Sequence, residues 1–113
     1  MPQPVVLITG AAGGLGSAVA ARFAAGNWRV AATDVNADGL HQLGNSLPLA
    51  ASVALDLRSA ANCRELLSQV LARTGRIDAL VNAAGVWREG PVESFSEEDF
   101  DLLMNVNVKA AFF

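Results

Sequence analysis

The sequence predicts an α/β fold built on a doubly wound parallel sheet, and three observations predict it. Four short apolar runs alternate with segments of helical periodicity, a glycine-rich turn joins the first run to the first helix, and an acid closes the second run. Strand and helix alternating in this way is the signature of βαβ units, whose right-handed crossovers leave the strands parallel in one sheet.

The run Val5-Val6-Leu7-Ile8-Thr9 is rich in β-branched residues and ends at Gly10; a second, from Trp28 to Thr33, ends at Asp34. Ser52 to Leu55 and Ala79 to Asn82 complete the set. Their continuous apolar character predicts strands buried on both faces, as parallel sheets require. Leu15, Val19 and Phe23 recur every four residues before Gly26 and mark the inward face of the first helix. After Asp34, Leu40, Leu43 and Leu47 keep helical spacing, although Gly39 and Gly44 weaken the segment. Ser59 is placed to cap a helix carrying Leu66, Leu67, Val70 and Leu71, and Gly75 to stop it. Ser96-Glu97-Glu98-Asp99 resembles a capping box, with Asp in the usual Glu or Gln position, and opens a helix bearing Phe100, Leu103 and Met104. Val86 to Phe95 is the least structured stretch.

Composition narrows the function. With 113 residues, the chain is expected to form one globular unit able to bury a core without staples. Its single cysteine, Cys63, has no partner within the chain and reads as a packing residue, and one Cys with one His, His41, cannot assemble a zinc site. These features, with no charged, apolar leader, predict a reduced, cytoplasmic protein. Hydrophobic residues make up 52% of the chain, yet polar residues or glycines interrupt every apolar stretch short of the roughly 20 residues a membrane helix needs. The net charge of −3 and scattered cations argue against a nucleic-acid partner.

Thr9-Gly10-Ala11-Ala12-Gly13-Gly14-Leu15-Gly16 follows a strand and opens a helix, the context in which a glycine loop binds a dinucleotide. One glycine permits the tight turn, another lets backbone approach a pyrophosphate, and a third lets helix and strand pack closely. The helix N-terminus then offers free amides to the phosphates. No Lys-Ser or Lys-Thr pair follows, which argues against a P-loop phosphate site. Gly10, Gly14 and Gly16 fit a TGxxxGxG spacing; Gly10, Gly13 and Gly16 fit TGxxGxxG equally well. Asp34 falls close to the roughly 20-residue spacing expected of the acid that accepts hydrogen bonds from an adenosine ribose. Such a carboxylate favours NAD and repels the 2′-phosphate of NADP, since Val35, Ala11 and Ala12 offer no compensating cation. A turn or helix-capping Asp is the alternative, and the two roles can coexist.

Asp56-Leu57 after the third strand, Asn82-Ala83-Ala84-Gly85 after the fourth, and Asn107 in the last helix join these motifs. Together, over essentially the whole chain, they resemble the classical short-chain dehydrogenase/reductase family, with Ala83 replacing the second Asn of its NNAG motif. The resemblance resolves the ambiguity at Gly13, because the extended branch of the family carries a different sequence after the fourth strand. It implies a Rossmann-type fold, of which residues 1–113 are the N-terminal half, and NAD as cofactor. Gly10, Gly14, Leu15, Gly16, Asp34, Asn82, Ala83 and Gly85 are the cofactor residues it implies. Asp56 would reach the adenine amino group, and Leu57 would offer its backbone amide to the same ring. Asn82 would bond across neighbouring strands. Asn107 would be the catalytic Asn that holds a water in a proton relay; it shares the inward face of Phe100 and Leu103, where an unpaired amide costs roughly 1–3 kcal/mol, so something must pair with it. Asn105 is expected in solvent. Trp87 reads as structural, in a segment with Arg88 that could border the substrate.

In that family a Ser, and a Tyr four residues before a Lys, complete proton transfer. This sequence has no Tyr, so the expectation is a nucleotide-binding first half whose catalytic second half lies outside it. The whole protein would then be a homo-oligomeric oxidoreductase acting on a small-molecule alcohol or ketone. Residues 76–85 and Gly90 carry a weaker likeness to dihydrodihydroxybenzoate dehydrogenases and 3-oxoacyl carrier-protein reductases. A non-catalytic nucleotide-binding module is the alternative.

Overall fold

The computed structural model describes residues 2–86 and 88–113; Trp87 and the role expected of it lie outside them. Strands β1 (Val5–Thr9), β2 (Arg29–Asp34), β3 (Ala51–Ala54) and β4 (Ala79–Asn82) alternate with helices α1 (Gly14–Ala25), α2 (Ala37–Ser46) and α3 (Ala60–Thr74). A 3₁₀ turn (Val92–Ser94) precedes α4 (Glu97–Met104), which passes through a π-helical stretch, Asn105–Lys109, into a last helical turn, α5 (Ala110–Phe112). The strands are parallel in the order β3-β2-β1-β4, with Thr9 opposite both Thr33 and Asn82, so their carboxyl ends form one edge.

Alternation along the strands divides the core between the two faces of the sheet. Val6, Ile8, Val30 and Ala32 pack with Ala20, Leu40 and Leu43 of α1 and α2. Leu7, Ala31, Ala51 and Val53 pack with Leu66 and Val70 of α3. Helices on both faces make the sheet doubly wound, as the sequence predicts. Burial on both faces holds for β1 and β2 only. In β3 Ser52 and Ala54 are exposed, and Leu80 of β4 is 53% exposed. These are the strands at the sheet margins, where a covering helix reaches one face.

The inward face of α1 also differs from expectation. Leu15 is 73% exposed, whereas Gly16 and Ala20 are its buried residues, flanked by the half-buried Val19 and Phe23. Small residues let the helix axis approach the sheet closely, so periodicity read from the large side chains is one position out of phase. Phe23 completes the face by an edge contact with Trp28, ring centroids 5.1 Å apart.

The caps fall where expected. Ser59 Oγ accepts the Asn62 N–H, and Gly75, at φ 76°, donates its N–H to the Leu71 carbonyl. Ser96 Oγ accepts the Asp99 N–H, but the Asp99 carboxylate turns to Arg88, Nε to Oδ1 3.7 Å, and only half of the capping box forms. At the amino end of the sheet Asp78 accepts the Val5 N–H and two bonds from Arg76, while its own N–H donates to the Val5 carbonyl. The Arg76 guanidinium and then the Val5 amide hold the Asp78 carboxyl below the usual carboxylate range.

Candidate functional site: a cleft across the carboxyl ends of the strands

The turn after β1 is shaped by contacts that only glycine satisfies. Gly10 has φ +64°, and a Cβ there would lie 2.6 Å from the Ala84 nitrogen and 2.7 Å from the Ala83 carbonyl. At Gly16 a Cβ would overlap the Gly10 carbonyl oxygen. The close approach of the two turns is fixed by Thr9, whose Oγ1 accepts the Ala84 N–H at 3.2 Å. Gly14 differs from both: a Cβ there would meet nothing within 4 Å. Among the described residues no contact accounts for a glycine at that position. It stands at the first turn of α1, beside the amides that a helix N-terminus leaves unpaired.

Asp34, half-buried at the end of β2, bridges two loops. Its Oδ2 accepts the Ala12 N–H and its Oδ1 the Asn36 N–H, each at 3.0 Å. Asn36, not Asp34, caps α2, its Oδ1 accepting the Gly39 N–H at 2.9 Å. Asp34 thus acts as a turn residue, and each of its oxygens retains a lone pair for a further donor.

The loop after β3 is anchored by the first turn of α3. Asn62 Nδ2 donates to the Asp56 carbonyl at 2.8 Å, and the buried Cys63 thiol to the Leu57 carbonyl at 3.3 Å. Packing is thus the role of Cys63, and burial pushes its thiol pKa up. Asp56 binds Arg58 with both oxygens: Oδ1 accepts the Arg58 backbone N–H, Oδ2 accepts the Nη2 group at 2.6 Å, and the two oxygens share the single Nε–H. The guanidinium, then the backbone amide, lower the Asp56 pKa.

These three turns and the one after β4 enclose a cleft of about 530 Å³, within the range of small-molecule sites. Gly10, Asp34, Asp56, Leu57, Ala83 and Gly85 come together in its lining, with Gly13 of the alternative glycine spacing and with Thr33, Asn36 and Arg58, which the sequence reading did not single out. Leu102, Val106 and Ala110 form the far wall. Gly14, Leu15, Gly16, Asn82 and Asn107 stand outside the lining. For Leu15 and Gly16 the reason is orientation, one side chain pointing into solvent and the other position serving helix packing. Among the described residues Asn82 is exposed and its side chain makes no hydrogen bond across strands.

Asn107 is exposed rather than inward, as is Phe100 at 55%, while Asn105 is half-buried. The π-helical stretch shifts the faces of the last helix relative to an unbroken α-helix. Asn107 does find a partner, and it is backbone: Oδ1 accepts the Val86 N–H at 2.9 Å and Nδ2 donates to the Val86 carbonyl at 3.0 Å. The helix is thereby bolted to the turn after β4, and the amide keeps one donor and one acceptor position spare.

A dinucleotide fits this arrangement. The open space over Gly14 leaves room for backbone to approach a diphosphate, and the spare acceptors of Asp34 lie where the carboxyl ends of the strands receive ligands. Residues 4–113 match the profile of the short chain dehydrogenase family. The chain is 40% identical over 112 residues to D-threitol dehydrogenase of Mycolicibacterium smegmatis, an alignment covering 96% of this chain and 43% of that protein. The crystal structure of 3-ketoacyl-(acyl-carrier-protein) reductase from Brucella melitensis complexed with NADH superposes with a TM-score of 0.90 at 32% identity, covering 98% of this chain and 47% of that one. A variant of actinorhodin polyketide ketoreductase with NADPH gives 0.93 at 26% identity, covering 99% and 46%. The chain spans less than half the length of each of these three relatives. With a matching profile over nearly its whole length and the parallel sheet of its structural neighbours, the chain belongs to the short chain dehydrogenase family.

Proposed function

We propose that the protein is an NAD-dependent oxidoreductase acting on a secondary alcohol or ketone. When bound, the nicotinamide accepts or releases a hydride. These residues hold the cofactor: the amides of the first turn of α1, from Gly14 through Gly16, receive the pyrophosphate, Asp34 receives the ribose hydroxyls, the Leu57 amide faces the base, and the Asn82-Ala83-Ala84-Gly85 turn flanks the nicotinamide half. Asn107 keeps the helix against that turn, and its spare donor and acceptor can hold a water of a proton relay. Substrate activation falls to residues of the whole protein beyond these positions. Among the described residues no helix is long and apolar enough to cross a membrane; we place the protein in the cytoplasm, as a homo-oligomer.

The preference for NAD rests on one observation. Asp34 presents a carboxylate at the end of β2, and the cation lining the same cleft, Arg58, is engaged by Asp56. A 2′-phosphate beside Asp34 would meet like charge, which costs several kcal/mol in a confined site. Relatives with NADH and with NADPH both superpose on the chain, so the argument lies in this residue rather than in the family. The test is kcat/KM with each cofactor. Asp34→Ala should narrow the preference for NAD by about tenfold, equivalent to roughly 1.4 kcal/mol, and Asp34→Arg should shift it toward NADP. Equal efficiency of the unmodified enzyme with both cofactors refutes the assignment.

A further inference from the structure

We propose that Asn62, in the first turn of α3, is a positioning residue for cofactor binding: it holds the peptide between Asp56 and Leu57 so that the Leu57 N–H is aimed into the cleft. The proposal rests on the cofactor reading above, in which that amide faces the base, and adds the side chain that aims it.

A planar trans peptide points its carbonyl and its N–H in opposite directions, and among the described residues no peptide bond is cis. The carbonyl of Asp56 and the N–H of Leu57 belong to one such unit. Asn62 Nδ2 donates to that carbonyl at 2.8 Å from a half-buried position on α3. With the carbonyl held against α3, the Leu57 N–H turns away from the helix. Leu55, Asp56, Leu57 and Arg58 line the cleft, whereas among the described residues none of α3 does. Away from α3 is therefore toward the cleft.

The amide aimed in this way is free to donate. Among the described residues no group accepts the Leu57 N–H, although Leu55 donates its own to the Asp34 carbonyl and Arg58 its own to Asp56 Oδ1. A half-buried backbone donor left without a partner costs free energy, and a ring nitrogen of a base is an acceptor that can supply one. Asn62 is itself fixed, because its backbone N–H is donated to Ser59 Oγ at 3.3 Å. The next peptide repeats the arrangement, the Cys63 thiol donating to the Leu57 carbonyl at 3.3 Å. Consecutive residues of α3 thus hold consecutive carbonyls of the loop. A thiol is a weak donor, so Asn62 supplies the larger share of the hold.

The experiment measures NADH binding by calorimetry and amide hydrogen exchange at Leu57, both on the whole protein. In the unmodified protein, saturating NADH should slow exchange at Leu57 by about tenfold or more. Asn62→Asp removes the donor and sets an acceptor against the Asp56 carbonyl, while a negative charge in the first turn of α3 favours the helix, so Tm should hold or rise. NADH affinity should nevertheless fall by about threefold to tenfold, the range of one neutral hydrogen bond. The protection of Leu57 by NADH should disappear, and binding of reduced nicotinamide mononucleotide, which lacks the adenosine half, should be unchanged. Asn62→Leu, similar in shape and uncharged, should give the same loss of NADH affinity, which assigns that loss to the donor rather than to charge. The proposal is overturned if NADH binds the unmodified protein without protecting Leu57, if either variant binds NADH normally, or if either weakens NADH and the mononucleotide by equal factors. Failure of the unmodified protein to bind NADH at all overturns the cofactor reading as well, which separates the two cases.

Discussion

Replacing Gly14 and Gly16 separately should divide the glycine turn into a ligand position and a packing position. At Gly14 an added Cβ meets nothing within 4 Å, and the residue begins α1. Gly14→Ala therefore removes backbone freedom from the unfolded chain without a new clash, a gain of about 0.4–1 kcal/mol. At Gly16 the Cβ overlaps the Gly10 carbonyl and lies 2.7 Å from the Gly10 carbonyl carbon and 3.0 Å from Ala11 Cα. All three atoms are backbone, so a rotamer change cannot relieve the contact, and α1 must move from the sheet. Overpacking of this kind costs about 1–3 kcal/mol. The two variants should differ by about 1.4–4 kcal/mol in opposite directions from the unmodified protein, read as urea midpoints at unchanged slope. NADH titration supplies the second axis. Gly14→Val should abolish binding in a protein that remains folded, because its side chain occupies the space left for the pyrophosphate. Equal destabilisation by the two alanine variants, or normal NADH affinity of Gly14→Val, would refute the reasoning.

Two further outcomes test other parts of the structure. Asp78 has its pKa lowered by Arg76 and the Val5 amide, so its contribution is present above the unfolded carboxylate pKa of about 3.9 and is lost as pH falls through the lower folded value; Asp78→Asn should flatten the acid limb of a Tm against pH profile, and an unchanged limb would refute this. Asn107→Asp places an acceptor opposite the Val86 carbonyl and breaks one of the two bonds there; amide hydrogen exchange at Val86 and its neighbours should accelerate, with little change in the β1 and β2 amides, and uniform exchange across both regions would contradict it.

The fold was legible in the sequence where a signal was local. Strand runs, the Ser59 and Ser96 caps and the Gly75 stop each depend on a few adjacent residues; the caps and the stop stand where the pattern placed them, and the strands match their runs except that β2 and β3 are shifted by one residue. What depends on neighbours was not legible. Leu80 and Asn82 are exposed in β4, and what packs beside a strand is not encoded in its own residues. The packing face of α1 was hidden because Gly16 and Ala20, which make it, carry almost no hydrophobic signal. In the cleft, motif spacing located Gly10 and Asp34, and the family resemblance pointed to Asp56 and Leu57. Arg58 escaped notice although it stands two residues from Asp56, since a cation in a polar loop looks like an ordinary solvated side chain. An Asp-x-Arg step directly after a strand was the signal that could have found it. Asn107 is exposed where helical spacing placed it inward, and Phe100, which precedes the π-helical stretch, is exposed with it.

That stretch acts as a phase corrector. In an α-helix, with 3.6 residues per turn, a four-residue step overshoots a full turn by roughly 40°, so side chains spaced by four spiral away from any fixed line. Leu102, Val106 and Ala110 are spaced by four and yet line one cleft, because the wider turns from Asn105 to Lys109 absorb the overshoot. Deleting a single residue from the α-helical segment before those turns, Glu97–Met104, would rotate everything after the deletion by roughly 100°. Ala110 would leave the cleft wall and the Asn107 bolt on Val86 would open, though no side chain had changed its chemistry. At this point of the chain, residue count is as much a part of the site as residue identity.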